Sequence, residues 1–407
     1  MNRYLAVALG ILTAVGGFVD AGDLVTNAVV GSRYGVSLAW VVVVGVVGIT
    51  LYAHMAGKVM ALSGRATFEV IRERLGPRAA LVNLGASLVM TLMTLTAEIG
   101  GMALAMQLLT GITPAVWFGI AAVVVWLVIW SVKFSIMENV AGLLGLTLIV
   151  FTVSFFALDP DWTVIRSQLM ARHAPVHSLS YWYYVVALFG AAMTPYEVFF
   201  FSSGAAEEHW GKRDLAISRV NAGVGFPLGG LLSLSIAGCA GMVLAARHVN
   251  VDKMSEVVMP VGSALGVVGL TIALVGILAA TTGAALETTL SCGYILAQYA
   301  GWPWGKRLRP ASAPQFHLVM LVCLLIALGV LATGADPIKV TEFSVVFSAV
   351  GLPLTYAPVL IVANDPDYVG EHVNGRVVNG FGVVYLGVLT VAAVAAVPLM
   401  IVTGMGQ

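Results

Sequence analysis

The sequence predicts an all-α polytopic membrane protein of about eleven spans, built as two inverted sets of five with the first and sixth spans broken. Three observations carry this expectation. The 407 residues are 59% apolar and only 10% charged, with a mean hydropathy of +0.97, and run after run approaches the roughly 20 residues that cross a bilayer. Two carboxylates and a glycine, Asp20-Ala21-Gly22-Asp23, interrupt the first apolar run. A proline with an acid beside it, Thr194-Pro195-Tyr196-Glu197, interrupts the sixth.

Apolar runs read against Gly, Pro and charged punctuation are centred near residues 17, 48, 95, 122, 147, 195, 230, 280, 324, 352 and 391. The opening Met-Asn-Arg and its apolar continuation have the look of a secretory signal, but span after span follows, so the run is kept as the first span. Residues 257–300 fit either one long span with a preceding half-helix or two short ones. The basic cluster at 65–78 fits a solvated loop with a short amphipathic helix. Residues 159–180, with Pro160 and Pro175, fit an external loop too short for a core of its own. Expected units are residues 1–160 (spans one to five), 161–363 (spans six to ten, inverted) and 364–407 (span eleven).

Fourteen of the 20 basic residues fall on the side that holds Arg3, Lys58 and the 65–78 cluster. The positive-inside bias makes that side cytoplasmic, with the N-terminus inside and, after an odd number of spans, the C-terminus outside in a cell membrane. A formal net charge of zero offers no field for nucleic acid. Cys239, Cys292 and Cys323 lie in apolar runs without CxxC spacing, which argues against a disulfide framework or a zinc cluster. Neither a cofactor nor an obligatory protein partner is expected; the partners implied are the bilayer and a transported ion.

Ionisable groups at bilayer depth are costly unless they serve a polar site. An unbroken first span would place Asp20 and Asp23 there. A turn unwound at Gly22 would set carbonyl oxygens beside both carboxylates. Pro195 removes a backbone donor and obstructs the preceding turn, which breaks the sixth span near Thr194. Spans five apart point in opposite directions, the arrangement of inverted-repeat transporters whose broken helices meet at the midplane. Asp20, Asp23, Thr194 and Glu197 are thus expected to converge with carbonyls of the unwound turns, Ala191 among them. All of these donors are oxygen. Hard oxygen sets favour Mg2+, Ca2+ or Mn2+ over softer metals, and magnesium, slow to shed water, favours a roomy site. Met193 adjoins the break, but chain neighbours seldom face the same way.

The segment Gly17 to Ala28, with Tyr34-Gly35 and Ser37 to Trp40, resembles the first-span signature of the Nramp metal transporters. The resemblance continues through Glu138 to Leu144, Pro195, Phe201-Ser202-Ser203, Ala279 to Gly293 and Ser344 to Pro353. It implies a LeuT-like fold and import of divalent metal. The family's Asp-Pro-Gly-Asn reads Asp20-Ala21-Gly22-Asp23 here, and its Met-Pro-His reads Thr194-Pro195-Tyr196. Its Asp-Leu-Ala-Glu reads Leu95-Thr96-Ala97-Glu98, and its tenth-span glutamine corresponds to Val345. These departures are similar to the Nramp-related magnesium transporters, a branch that carries Mg2+ and Mn2+ without evident proton coupling.

Four further residues are permeation or gating candidates: Glu98, Tyr196, Glu138 and Glu287. Glu98 either lines the path or bonds the first span. Glu138 suits helix packing or gating, and Glu287 stands among small residues of the eighth span. Glu342 suits an outer vestibule; His54 is better read as a packing histidine than a proton carrier. The nearest rival is a proton-coupled Mn2+/Fe2+ transporter. A sodium-coupled solute carrier would have to tolerate three acids. An intramembrane aspartyl protease needs aspartates on two spans in one plane, whereas Asp20 and Asp23 share one. The chain is not expected to be an enzyme.

Overall fold

The computed structural model describes residues 11, 14–15, 17–170 and 175–406, except the side chains of Ser135 and Glu138. Ten helices among these are long and apolar enough to cross a membrane. Each covers one of the expected centres from 48 to 391. The first span is only partly described, with Ile11, Ala14, Val15, Gly17 and Phe18 helical. The chain is a multi-pass membrane protein.

Helix α1 (Ala21–Tyr34) completes the first span after a break at Val19 and Asp20. Spans two and three are α2 (Ala39–Ser63) and α4 (Pro77–Thr110), joined through the short α3 (Thr67–Leu75). As the 65–78 cluster suggests, α3 is amphipathic: it buries Phe68, Val70 and Ile71 while its arginines face out. Spans four and five are α5 (Pro114–Ser131) and α6 (Phe134–Gly145) continued by α7 (Ile149–Ala157). The loop beyond carries a one-sided helix, α8 (Trp162–Leu169), capped by Asp161.

The sixth span is α9 (Leu179–Ala192) and α10 (Pro195–Glu207), separated by Met193 and Thr194. The remaining spans are α11 (Leu215–Val243), α12 (Met254–Ala300), α13 (Pro314–Ala332), α14 (Pro337–Val362) and, after the single turn α15 (Pro366–Val369), α16 (Arg376–Val402). The two readings of residues 257–300 are resolved by Gly266, whose φ of 65° and ψ of −157° interrupt α12. A short helix therefore precedes one long span. A positive φ with that ψ is open in practice only to glycine.

Small residues let the broken spans pack closely. A Cβ placed on Gly31 of α1 would lie 2.2 Å from the Ala237 carbonyl oxygen of α11, and one on Gly190 of α9 would lie 1.9 Å from the Val345 carbonyl oxygen of α14. The span formed by α9 and α10 is almost wholly enclosed, whereas α5 and α16 expose rows such as Val123, Leu127 and Trp130, and Val377, Phe381, Val384 and Val391. The interrupted helices occupy the centre, and the lipid-facing apolar surface lies on the periphery.

Candidate metal site

The first break is narrower than the sequence suggests. Asp20 is extended (φ −97°, ψ −179°) and caps α1, its Oδ1 accepting the Asp23 backbone N–H at 2.8 Å. Gly22 and Asp23 already belong to the first helical turn, so the expected unwinding at Gly22 is corrected to Val19 and Asp20. The glycine serves proximity instead: a Cβ there would lie 2.7 Å from Val345 Cγ1 and 3.1 Å from Asp20 Oδ1. Any larger residue would push α14 away from the break.

The second break follows the expectation. Met193 (φ −127°, ψ 55°) and Thr194 (φ −62°, ψ 124°) are non-helical, and Pro195 opens α10. In an unbroken helix the Ala191 carbonyl would accept from residue 195, and a proline has no N–H to give. Thr194 Oγ1 donates to Glu197 Oε2 at 3.3 Å. Met193 is fully buried and turns away: a Cβ on Gly48 of α2 would touch its Cε at 2.7 Å and its Sδ at 2.8 Å.

Asp20, Asp23, Thr194, Glu197, Ala191 and Tyr196 are all buried to 5% exposure or less. Val345 touches both broken spans, through Gly22 and Gly190, and so sets their separation. Two other acids join them. Glu98, wholly buried on α4, accepts the Ala21 N–H at 3.0 Å and 3.2 Å through its two oxygens. Glu287 of α12 and Glu197 both reach Gly17: a Cβ there would lie 2.7 Å from Glu287 Oε2 and 2.8 Å from Glu197 Oε1. Tyr196 also meets that glycine, its hydroxyl donating to the Gly17 carbonyl at 3.3 Å. Glu138 lies on α6, but its side chain is outside the described residues. His54 sits in α2, with Nδ1 buried and meeting no partner in the protein.

Asp23 is held differently. Its Oδ2 accepts from Ser233 Oγ of α11 at 2.5 Å, and its Oδ1 accepts from Asn27 Nδ2 at 2.8 Å. Neither partner stands out in the sequence, since a serine in a run of glycine, leucine and serine reads as packing. Among the described residues, no three His, Cys, Asp or Glu side chains are gathered closely enough to hold a metal between them. The acids line the two breaks without closing on a common point.

Residues 10–398 match the family Nramp, described as natural resistance-associated macrophage protein-like. The chain belongs to this family. Relatives include the divalent metal cation transporter MntH of Mycobacterium tuberculosis, 25% identical over 377 residues, covering 90% of this chain and 85% of that protein. The MntH of Deinococcus radiodurans is 26% identical over 376 residues, covering 88% and 82%. Among solved structures, the manganese transporter of Eremococcus coleocola, crystallised with an aromatic bis-isothiourea compound, aligns with a TM-score of 0.78 at 19% identity, covering 100% of this chain and 90% of that one. The fold is shared more distantly with Mhp1, a nucleobase-cation-symport-1 transporter, at TM-score 0.60 and 16% identity over 96% of this chain and 91% of that one. MhsT, in complex with L-phenylalanine, aligns at 0.58 and 13% over 97% of each. The architecture of this Nramp chain is thus LeuT-like, with broken spans one and six.

Proposed function

We propose that this Nramp protein imports divalent metal ions, Mg2+ and also Mn2+, into the cytoplasm by alternating access and without proton coupling. Residues 1–160 and 161–363 act as the two inverted units, 364–407 as an added span, and the N-terminus lies inside. The observation that carries the reading is the chemistry at the two breaks: Asp20, Thr194 and Glu197 present oxygen, while the one adjacent sulfur, in Met193, packs on Gly48. A set of carboxylate, hydroxyl and carbonyl oxygens is hard, and it suits Mg2+ or Mn2+ over ions that recruit thioether or imidazole.

The ligand set proposed is Asp20, Thr194, Glu197 and the Ala191 carbonyl, with Asp23 adding charge. Leucine at 95 and tyrosine at 196 leave those two positions without a group that titrates near neutral pH. Inward transport then draws on the ion gradient and on the membrane potential, worth about 4.6 kcal/mol per divalent ion at 100 mV. Glu98 and Glu287 line the route beside the ligands, and Glu138 acts in gating.

The test is uptake by purified protein in proteoliposomes, with Mg2+ and Mn2+ compared with Ca2+ and an internal dye following pH. Mg2+ uptake without acidification, lost in Asp20→Ala and Glu197→Ala, is the expected result. Mn2+ uptake with parallel acidification and no Mg2+ flux would overturn it.

A further inference from the structure

We infer that Ser233 sets metal selectivity by holding Asp23 back from the ion. This rests on the divalent-metal reading above and adds to it a residue from outside both broken spans. Asp23 follows Asp20 by three residues, so both lie at the start of α1, and a free Asp23 carboxylate would be a natural extra ligand. It is not free. Ser233 Oγ reaches Oδ2 at 2.5 Å, a short bond of the charge-assisted kind, and Asn27 Nδ2 reaches Oδ1 at 2.8 Å.

Ser233 has another acceptor within reach, the Gly229 carbonyl at 3.2 Å, but a hydroxyl has one proton and the carboxylate is the nearer and stronger acceptor. Asn27 is bound twice over, because Nδ2 also donates to the Asp23 carbonyl at 2.9 Å. With both carboxylate oxygens engaged, Asp23 is tied to α11 and to its own helix. Among the described residues no three acidic side chains gather, which agrees with this restraint.

The other end of the Asn27 amide points the same way. Asn27 is wholly buried, and its Oδ1 meets no donor in the protein. Buried acceptors are ordinarily bonded, so this one suits a ligand bearing O–H groups, such as water carried on a metal ion. Asp23 and Asn27 Oδ1 together make an acceptor surface for an ion that keeps part of its water. Magnesium gives up water reluctantly, whereas Mn2+ and Ca2+ accept a further carboxylate readily. Ser233 therefore favours Mg2+ by withholding an inner ligand.

The deciding experiment is calorimetric titration of purified full-length protein with Mn2+ and with Mg2+, alongside uptake in proteoliposomes. In Ser233→Ala, Mn2+ should bind roughly tenfold tighter, the scale of effect that partners of a ligand exert. Maximal Mn2+ uptake should fall as release slows, and Mg2+ affinity should not rise. Ser233→Thr, which retains the hydroxyl, should restore the wild-type ratio. Ser233→Cys, with its weak donor, supplies the same comparison if the alanine variant does not fold. Equal weakening of both metals in Ser233→Ala would mean that Asp23 is a direct ligand merely oriented by the serine, and unchanged affinities would mean that the bond is irrelevant; either overturns the inference. Loss of all Mn2+ binding in Asp20→Ala tests the underlying reading separately.

Discussion

The Glu98 carboxylate accepts the backbone N–H of Ala21 at 3.0 Å, so an acid on the third span caps the half-helix that begins at the first break. A broken helix leaves its first N–H groups without internal partners, and at this depth no bulk water supplies them. Asp20 satisfies the N–H of Asp23, and Glu98 that of Ala21. Glu98 thereby ties the third span to the backbone at the first break.

Glu98→Gln, whose amide oxygen is still an acceptor, should therefore retain most Mg2+ uptake. Glu98→Leu strands a buried donor at a cost of about 1–3 kcal/mol and should lower both thermal stability and uptake. A glutamine variant as inactive as the leucine variant would assign the carboxylate a role in ion or proton movement instead.

The close approach of α9 to α14 yields a second expectation. Gly190→Ala sets a methyl group 1.9 Å from the Val345 carbonyl oxygen, and a backbone atom has little room to yield. The cost should reach at least about 3 kcal/mol, the top of the usual overpacking range. Thermal unfolding in detergent would register it, while Gly119→Ala, with nothing near its added Cβ, should unfold no earlier than the parent.

Thr194→Met would place a thioether at a position now held by a hydroxyl. The site softens, so uptake should shift from Mg2+ toward Mn2+ and Cd2+. Competition of Cd2+ against Mg2+ uptake measures this directly; an unaltered Mg2+ to Cd2+ ratio would remove Thr194 from the ligand set.

Lys58 is almost wholly buried near the C-terminal end of α2, where its ammonium donates to the carbonyls of Ala363 at 3.1 Å and His372 at 2.9 Å and to Asn374 Oδ1 at 2.5 Å. Lys58→Met should free the segment between α14 and α16. Faster limited proteolysis within residues 363–375 is the expected readout, with a loss of about 1–3 kcal/mol for the unmade bonds.

On the same face, Arg65 donates to Glu73 at 2.5 Å and Tyr368 adds a bond at 3.1 Å, which together hold the Glu73 carboxyl below its ordinary range. A lowered folded value means that the tether is complete above the ordinary carboxylate range and is lost as pH falls through the lowered one. The Glu73 contribution to stability should consequently be constant above the ordinary carboxylate range, with Glu73→Gln differing from the parent there and converging with it in acid. A Glu73 contribution that instead faded above neutral pH would contradict this assignment.

Much of this is legible in the sequence. Long apolar runs mark spans because length and hydropathy are what a bilayer demands, and Pro195 marks its break because the missing N–H is written in the residue itself. Asp20, Glu98, Glu197 and Glu287 were visible as acids at depth, though which backbone or side chain each met was not. Gly22 is ambiguous in sequence, because a glycine allows both an unwound turn and a close approach, and here it provides the second. Ser233 and Asn27 gave no signal: a lone hydroxyl or amide among small residues looks the same whether it packs or restrains a carboxylate. Lys58 counted as one more charge on the basic side, and only the packing reveals it as a buried tie.

Met193 and Thr194 are adjacent, yet the sulfur lies on Gly48 and the hydroxyl bonds Glu197. Both a soft and a hard donor are thus present in two consecutive residues, and the dihedral angles of the interruption send them to different surroundings. If Thr194 is a ligand as proposed, preference for a metal in this chain is a matter of rotation as much as of composition. A lineage could change its cargo by turning the backbone through one residue's worth of twist, with every side chain in the segment left as it is.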